Sequence, residues 1–518
     1  MNILLINHYA GSIHHGMEYR PYYLAREWVR RGHRVHIAAA TCSHLRQQAP
    51  GSDAGAGPWT EENIDGIRYL WLRTPSYRGN GAARVRNMLA FVARLWREAP
   101  RLARTVAPHA VIASSTYPLD IWPAHRIARL AGARLLHEVH DLWPLSPMEL
   151  GGYSPRHPFI MLLQAAENHA CRHADAVVSM LPKVREHLEA RGMAPHKLHI
   201  IPNGADPDEW PAPSELPAGI MADRPTALGE PVRETPTSTG MASGFGTGSA
   251  RRATATGPVL TLVTSSPKTD AAPAVAPTPA PAPVPARAAP APASAAVATL
   301  IRSASPPPAS ATPSLAQLPP ELSRLLGQLR EQGKTVVAYT GSHGLANALD
   351  TLLDAARLVH DQPLAFLLVG AGPEKERLQQ KAQRRELAQV HFAAPVAKRH
   401  MPALLGNIDI AFLGWQRQPL YRFGIAPNKL LDYMMAGCPV LHAVEAGNDP
   451  VAEAGCGVSV APEDPSALAH GLLRLLELGP EQRRLLGARG RRYALSHLTY
   501  PVLAQRFLNV LAQETPHG

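Results

Sequence analysis

The segment FGIAPNKLLDYMMAGCPV, residues 423–440, contains the side chains best suited to binding a charged ligand. Pro427 and Asn428 are placed to open a helix. A cation in the first turn, such as Lys429, is unfavourable against the helix dipole unless an anion lies nearby. Asp432 follows one turn later, and we expect it to share a face with Asn428 and Lys429. An amide, an ammonium and a carboxylate at one helix start suit a diphosphate joined to a ribose diol.

Two other segments have the pattern of a strand, a glycine turn and a helix. AYTGSHG contains Gly341 and Ser342, and VGAGPE contains Gly370 and Glu374. Glycines in such turns let backbone N–H groups approach an anion at the helix start. Each turn alone is equally compatible with an ordinary α/β connection. Glu374 is placed either to accept from a ligand hydroxyl or to cap its helix.

In the first half of the chain, polar residues follow two predicted strands. Gly11 lies in the turn AGS after the first strand, where its backbone would face a phosphate or an acceptor. His140 and Asp141, in EVHDLW, end a later strand. We expect Asp141 to organise the turn before Pro144 rather than to act as a base. His140 has two open interpretations, as a ligand contact and as a structural residue.

Strands and helices alternate on both sides of a compositionally different middle segment. The predicted strands are residues 2–7, 34–40, 67–72, 110–113, 134–139, 176–179, 198–201, 335–340, 365–370, 390–392, 409–413, 439–442 and 457–460. Predicted helices include residues 18–31, 347–360 and 374–385. This alternation predicts an α/β fold with two Rossmann-like, doubly wound domains that face a cleft. Ligands bind at the carboxyl ends of the strands in such sheets.

The middle segment, residues 213–314, is rich in Pro and Ala and includes the run AAPAVAPTPAPAPVPARAAPAPASAAVA. Such a sequence cannot bury enough apolar surface to offset its ordering entropy, so we expect it to be disordered. The predicted organisation is a first Rossmann-like domain at 1–205, a linker with the insert at 206–320, a second domain at 321–490 and a C-terminal helical segment at 491–518.

The net charge of +11 favours an anionic partner. No nucleic-acid-binding motif, no apolar run long enough to span a bilayer and no signal-peptide pattern is present, which predicts a cytoplasmic protein. Residues 78–104 hold seven arginines against one acid, Glu98, with apolar residues at helical spacing. Two interpretations stay open, a basic amphipathic helix on a membrane surface and a solvated helix face that covers a core.

The sequence resembles family 4 glycosyltransferases of the GT-B fold. PNKLLDYMMAGCPV, VVAYTGSHG, FLLVGAGPEKERL and HFAAPVAKRHMPALL resemble the domain that binds the sugar donor. HYAGSIHHGMEYRPYYLAREWVRRGHRV, EVHDLWPLSPMELGGYSPRHP and LHIIPNGAD resemble a bacterial branch that transfers N-acetylaminosugars, such as N-acetylfucosamine, in surface-polysaccharide synthesis. The resemblance covers essentially everything except the insert.

The resemblance implies an anomer-retaining transfer from a UDP-sugar, with no metal and no other cofactor. It implies an acceptor-side first domain, a donor-binding second domain and a polyprenyl-linked saccharide acceptor of O-antigen or capsule type, reached from the inner face of the membrane. His140 resembles the family histidine that touches the transferred sugar, and with Lys429 it forms our predicted catalytic pair. The predicted donor-binding residues are Gly11, Gly341, Ser342, Gly370, Glu374, Val396, Pro427, Asn428, Lys429 and Asp432.

The sequence departs from the family pattern at three places. Asp432 stands where the family has the second Glu of a Glu-x7-Glu element, which binds the donor ribose, and Gly424 replaces the first Glu. The usual Arg and Lys after the first glycine turn are missing, since Ala346, Asn347 and Ala348 occupy that region. Lys429 is therefore our candidate for neutralising the diphosphate.

Two other functions are compatible with these residues. A nucleotide-sugar 2-epimerase of the same fold would need catalytic carboxylates in the cleft and no lipid acceptor. A non-catalytic scaffold would bind the nucleotide sugar and use the Pro/Ala-rich insert as a tether.

Overall fold

A computed structural model describes residues 1–16, 19–44, 46, 48, 50, 57–77, 79, 81–210 and 315–513. Within these ranges the strands form two sheets, one on each side of the insert. The insert predicted to be disordered, Glu18 of the first predicted helix and Arg78 of the basic segment lie outside the described residues.

The first sheet has eight strands in the order β3-β4-β2-β1-β5-β6-β7-β8. Its strands are β1 (Asn2–Ile6), β2 (Arg34–Ala40), β3 (Trp59–Ile64), β4 (Ile67–Leu72), β5 (Ala110–Ala113), β6 (Arg134–Val139), β7 (Ala176–Ser179) and β8 (Leu198–Ile200). The helices of this half are α1 (Arg20–Arg30), α2 (Ala82–Val106), α3 (Ile121–Ala131), α4 (Leu145–Glu149), α5 (Pro158–His173) and α6 (Arg185–Glu189). Strands β1, β2 and β4 to β8 run parallel, and apolar clusters on both faces bury them.

Strand β3 is a feature that the sequence interpretation missed. It pairs antiparallel with β4, and Ile64 faces Ile67 across a two-residue turn. Asp65 and Gly66 in that turn have φ of +50° and +81°. Asp-Gly is a strong signal for this type of hairpin turn. The signal was obscured because β3 is a polar edge strand whose burial alternates, unlike the continuous apolar strands beside it.

The second sheet has six parallel strands in the order β11-β10-β9-β12-β13-β14. They are β9 (Thr335–Thr340), β10 (Leu364–Val369), β11 (Val390–Ala393), β12 (Ile410–Gly414), β13 (Val440–Ala443) and β14 (Gly457–Ser459). The helices are α7 (Pro320–Glu331), α8 (Leu349–Leu358), α9 (Lys375–Arg384), α10 (Met401–Leu405), α11 (Asn428–Ala436), α12 (Pro450–Ala454), α13 (Pro465–Glu477), α14 (Gly479–His497) and α15 (Tyr500–Ala512). The predicted α/β fold with two doubly wound halves is confirmed.

Helix α8 begins later than the predicted residue 347. Asn347 belongs to a short 3-10 turn, and Ala348 has a left-handed backbone with φ of +49°. The α-helix therefore starts at Leu349. This delay frees the Asn347 side chain to hydrogen-bond elsewhere.

The last helix, α15, leaves the second sheet and packs on the first. Trp28 of α1 donates its indole N–H to the Ala504 carbonyl at 3.2 Å, and its ring contacts the Phe507 ring. The segment predicted at 491–518 thus begins inside α14, and the chain returns to the first half where Thr499 pairs with Ala205. Among the described helices, none is long and apolar enough to cross a membrane.

Candidate active site

The glycine turns after β9 and β10 lie against each other at the carboxyl edge of the second sheet. Gly341 donates its N–H to the Val369 carbonyl at 2.9 Å, and His343 donates to the Ala371 carbonyl at 2.8 Å. A Cβ on Gly370 would lie 1.8 Å from the Gly341 carbonyl oxygen, so a larger residue at 370 would push the turns apart. The two predicted turns therefore form one continuous backbone surface.

Lys429, in the first turn of α11, reaches this surface. Its Nζ donates to the Tyr339 hydroxyl at 2.6 Å and to Asn347 Oδ1 at 2.9 Å. Nζ also lies 4.6 Å from the centre of the Tyr339 ring, a cation–π distance. Gly341 has φ of +134°, and a Cβ there would lie 2.4 Å from Lys429 Cε. Glycine at 341 is what lets the ammonium approach the turn.

The surroundings of Lys429 are polar but uncharged. Within the described part of the chain it forms no ion pair, and burial lowers its pKa to about 8. Tyr339 and Asn347 also donate to the Ser342 carbonyl, at 2.6 and 3.0 Å, which fixes both partners. A desolvated cation with only neutral acceptors attracts an anion more strongly than a solvated one. The two partners were not predicted as site residues.

A cavity of about 490 Å³ lies beside α11, between the carboxyl edges of the two sheets. Asn428 and Asp432 line it from the second half, and His140 lines it from the first. Lys429 is not among its lining residues, because its ammonium is bonded to Tyr339 and Asn347 at the glycine turns. Asp432 is three residues from Lys429 and four from Asn428, and both spacings bring side chains close together on a helix.

The Asp432 carboxylate has an unusual environment in this cavity. No hydrogen bond to another described residue holds it, and burial raises its pKa to about 7. The nearby Lys398 ammonium opposes this rise and the Glu209 carboxylate adds to it. Asp432 is therefore a hydrogen-bond acceptor that is available to a ligand.

His140 is held from below by a buried polar network. Its Nε2 lies 2.9 Å from Ser114 Oγ and 3.3 Å from Glu138 Oε2. Ser114 Oγ donates to Glu138 Oε2 at 2.7 Å. The Ser114 hydroxyl donates its hydrogen to Glu138, so towards His140 its oxygen can act only as an acceptor. The His140 Nε2 must therefore carry the hydrogen of this second bond.

Glu138 is a fully buried carboxylate that the sequence interpretation left without a role. Arg20 of α1 donates its Nε to Glu138 Oε1 at 3.0 Å. Burial alone would raise the pKa of Glu138, but Arg20 and His140 hold it well below its usual value. Arg20 also donates to the carbonyls of Ile201, at 2.9 Å, and Pro202, at 2.5 Å. Arg20 thus links Glu138, which contacts His140, to the segment where the chain leaves the first half.

Asp141 has the role expected of it. Its Oδ1 accepts from the Leu142 N–H at 2.8 Å and from the Ser146 hydroxyl at 2.6 Å. Its Oδ2 accepts from the Trp143 indole at 3.2 Å. These bonds fix the turn between β6 and α4, and so they fix the direction in which the strand presents His140.

The cavity rim carries an ion pair that joins the two halves. Lys398 Nζ lies 2.7 Å from Glu209 Oε2 and donates to the Tyr23 hydroxyl at 3.1 Å. Tyr23 donates in turn to Glu209. Asn203, at the end of the first half, donates to the Ala426 carbonyl at 3.1 Å. Both contacts fix the distance across the cavity.

Of the ten predicted donor residues, Asn428 and Asp432 line the cavity and the other eight are not among its lining residues. The Gly11 carbonyl accepts from the Tyr69 hydroxyl at 2.8 Å. Glu374 occupies the N-cap position of α9, but its carboxylate accepts from Arg377 at 2.6 Å rather than from a backbone N–H of the helix. Val396 is half-buried and packs against an apolar cluster. Pro427 forms the N-cap position of α11, directly before Asn428.

Position 424 explains one departure from the family pattern. Gly424 has φ of +95°, and a Cβ there would lie 2.5 Å from Pro182 Cδ. Lys183, the next residue, donates its N–H to the Phe423 carbonyl at 2.9 Å. The close approach of the two halves at this point leaves no room for a glutamate side chain.

Similarity to known proteins follows the same two halves. Residues 15–204 match the glycosyl transferase 4-like domain, and residues 334–478 match the glycosyl transferases group 1. Sucrose-phosphate synthase of Thermosynechococcus elongatus aligns with a TM-score of 0.58 at 14% identity, over 98% of this chain and 97% of that one. Anabaena HepE, solved with UDP and glucose, aligns with a TM-score of 0.54 at 14% identity, over 99% and 100%. The protein has the GT-B fold.

Two curated relatives match part of this GT-B chain. WcaI of Escherichia coli (strain K12), named as a colanic acid biosynthesis glycosyl transferase, is 29% identical over 180 residues, which are 34% of this chain and 42% of the relative. WbjE of Pseudomonas aeruginosa, named as a glycosyltransferase, is 26% identical over 152 residues, 28% of this chain and 37% of the relative. The chain thus spans about two fifths of the length of the curated relatives it matches.

Proposed function

We propose that this GT-B protein is a glycosyltransferase that moves a sugar from a UDP-sugar to a saccharide acceptor. The observation that carries the proposal is the cavity that His140 lines from one half and Asn428 and Asp432 line from the other. Its volume of about 490 Å³ lies within the usual range for small-molecule sites. A cavity lined from both halves can bring a donor bound by one half next to an acceptor bound by the other.

The chemistry around α11 suits the UDP part of the donor. Lys429 offers an ammonium to the diphosphate, and Gly341 leaves room for that ammonium at the turn. The N–H groups of Gly341 and His343 are already bonded to the neighbouring turn. Asp432, which has no hydrogen-bond partner among the described residues, would accept from the ribose hydroxyls. His140, across the cavity, would contact the transferred sugar. In this arrangement the sugar–phosphate bond lies between Lys429 and His140.

The transfer step needs no protein nucleophile in this proposal. The bond between the sugar C1 and the UDP oxygen breaks while the acceptor oxygen bonds to C1 on the same face, which retains the anomer. The acceptor proton passes to the departing phosphate oxygen. Lys429 stabilises the negative charge that develops on UDP, in a desolvated site where such stabilisation is strong. A resident cation at this point supplies the charge that a metal would supply elsewhere.

We propose an N-acetylaminosugar as the donor sugar and a polyprenyl-linked saccharide as the acceptor. The motifs of the first half support the aminosugar, because they resemble the branch that transfers such sugars. The name of WcaI, which refers to colanic acid biosynthesis, supports a polysaccharide product. HepE has been solved with UDP-glucose, which supports a UDP-sugar donor.

A lipid-linked acceptor requires that the protein reach a membrane surface. Helix α2 carries exposed residues that suit such contact. Leu89 and Trp96 are 43% and 48% exposed on one side of this helix, and Leu130 of the adjoining α3 is 54% exposed. Arg97 and Arg104 are exposed beside them. Exposed apolar side chains flanked by arginines suit peripheral contact with an anionic bilayer.

Arg84 does not belong to this surface, although it lies in the predicted basic segment. Its Nε donates to the Tyr9 hydroxyl at 3.3 Å, and its guanidinium lies over the Tyr9 ring. Arg101 is exposed but covers the Trp59 ring at 5.0 Å. We choose Trp96, Arg97 and Arg104, three exposed residues of α2, to test membrane contact.

The test of the function is product analysis with purified protein, UDP-N-acetylglucosamine and related UDP-aminosugars, and a polyprenyl diphosphate saccharide. Release of UDP coupled to extension of the acceptor is the expected result. Conversion of the free UDP-sugar into its 2-epimer, without acceptor, would identify an epimerase instead. Binding without turnover of any UDP-sugar would identify a scaffold.

A further inference from the structure

A second polar cavity lies at the opposite, amino edge of the second sheet. It has a volume of about 420 Å³. Val336 and Asp409 line it at the starts of β9 and β12, and Gly437 and Pro439 line it just before β13. The predicted donor residues follow the carboxyl ends of the strands. The two sites are therefore on opposite edges of one sheet.

Four cations line this second cavity: Arg330, Lys334, Arg483 and Arg484. Asp409 is the carboxylate among its lining residues, and it already accepts from the Val336 N–H at 2.8 Å. Within the described chain, none of the four cations forms an ion pair with a carboxylate. Four positive charges in one concave site repel one another unless an anion is bound.

Arg483 gives a more specific indication, because it is only 6% exposed. One of its terminal nitrogens donates to the carbonyls of Leu475 and Leu476, at 3.1 and 3.2 Å, at the end of α13. Its Nε is buried without a hydrogen-bond partner. An unsatisfied buried donor on a charged group is costly, and the negative charge of an anion in the cavity would stabilise this guanidinium.

The helix ends at this cavity do not decide whether its electrostatic potential is positive or negative. The last residues of α11 and the first turn of α14 both line it, at Ala436 and Pro480. The carboxyl end of one helix dipole and the amino end of the other oppose each other. The four side-chain cations therefore set the local potential.

We propose that this cavity binds a small phosphate-bearing molecule, such as a sugar phosphate or a nucleotide, at a site separate from the cleft between the two halves. Guanidinium groups match phosphate oxygens with paired hydrogen bonds, which makes arginine clusters selective for phosphate. The cavity is larger than one phosphate needs, and its volume lies in the usual range for organic ligands. The organic part would lie against Leu326 and Leu405, which also line it.

The site also has a direct connection to the cleft. Helix α11 begins at Asn428, in the cleft, and ends at Ala436, in the second cavity. A ligand that orders one end of this helix would bias the other. The expected effect is a change in donor affinity when the second site is occupied.

Calorimetric titration of the full chain with pyrophosphate tests the site. Every protein in this experiment carries Lys429→Met, so that the ammonium beside the glycine turns does not contribute to pyrophosphate binding. Lys334→Gln with Arg484→Gln removes two cations that donate to no described protein group, so folding should be unaffected. Arg324→Gln, an exposed change on α7 outside the lining, is the control. We expect pyrophosphate affinity to fall at least about tenfold in the double variant, as for loss of one charge-assisted hydrogen bond.

Absence of pyrophosphate binding in the Lys429→Met protein would overturn the proposal, and so would an equal loss in the Arg324→Gln control. A second titration series compares inorganic phosphate with glucose 1-phosphate and UMP. Tighter binding of either organic phosphate supports the assigned ligand class. Equal affinity for all three would show that the cavity recognises phosphate alone.

Discussion

The Lys429 ammonium and the Tyr339 hydroxyl are joined by a hydrogen bond of 2.6 Å, although they are far apart in the sequence. This contact brings the start of α11 to the end of β9. It also brings Lys429 from another helix to the turn after which the resembled family has an Arg and a Lys.

Lys429→Met should lower turnover more than donor affinity. The reason is that negative charge builds on the departing UDP in the transition state, where loss of one stabilising group costs roughly 100-fold to 1,000-fold in rate. Steady-state kinetics with UDP-N-acetylglucosamine and the acceptor measure this. Arg357→Ala, which removes an exposed cation of the same domain, is the matched control. Full activity in Lys429→Met would show that the diphosphate lies elsewhere.

Donor affinity should be highest between about pH 7 and pH 8. The Asp432 carboxyl has its pKa raised to about 7, so it loses its charge, and its strength as an acceptor for ribose hydroxyls, as the pH falls below that value. The Lys429 pKa is lowered to about 8, so its charge is lost as the pH rises above that value. Calorimetric titration with UDP-N-acetylglucosamine, whose diphosphate stays ionised throughout this range, measures both limbs.

Two substitutions test whether Asp432 causes the acidic limb of this pH profile and Lys429 the alkaline limb. Asp432→Asn should remove the acidic limb and leave the alkaline one. Lys429→Arg, which stays charged, should remove the alkaline limb. An unchanged profile in both variants would mean that other groups control donor binding.

His140→Ala should reduce turnover and leave the affinity for free UDP nearly unchanged, because His140 lies across the cleft from Asn428 and Asp432. We expect a loss of at least about tenfold in rate, the effect of one lost hydrogen bond to a polar group in the transition state. UDP titration beside rate measurement separates the two effects. Loss of UDP affinity in His140→Ala, with retention in Asp432→Ala, would reverse the assignment of the two halves.

Glu138→Gln should act on both folding and turnover. It leaves the buried Arg20 guanidinium without its charge partner, which costs about 3–5 kcal/mol in the free energy of unfolding. It also weakens the hold of Ser114 and Glu138 on His140. Urea denaturation measures the first effect and turnover of the folded fraction the second. Glu186→Gln, at an exposed position of α6, should change stability by less than about 0.5 kcal/mol.

Membrane contact should depend on the exposed side of α2. Trp96→Ser with Arg97→Gln and Arg104→Gln removes apolar area and about 1 kcal/mol of surface attraction for each arginine. Co-sedimentation with vesicles containing phosphatidylglycerol at low salt should show loss of binding. Arg399→Gln with Arg357→Gln, a pair of exposed arginines of the second domain, is the charge-matched control. Equal sedimentation of the three-residue variant and the wild type would contradict this orientation.

The sheets were predictable because their strands are continuous apolar runs between glycine and proline turns. The glycine turns and the start of α11 were found for the same reason, since their signals are local. The partners were not local. Glu138 is visible beside His140, but Arg20, which holds it, lies 118 residues away in sequence. Asn347 lies in the region where the family pattern has basic residues, so no role was predicted for it. Only the packing of α11 on the turn shows that Asn347 binds Lys429. Sequence spacing predicts elements, whereas tertiary contact selects the partners.

The packing of helix α15 on the first half has a consequence for how the chain folds during its translation. Phe507 and Leu511 complete the apolar cluster that also contains Trp28 and the first strand. A ribosome releases Trp28 long before it has synthesised residues 500–512, so the nascent first half must wait with this face uncovered until translation is almost over. The interval includes synthesis of the entire Pro/Ala-rich segment and of the second sheet. During this interval the α1 surface is an exposed apolar face that can aggregate, so the first half depends on the last helix to cover it.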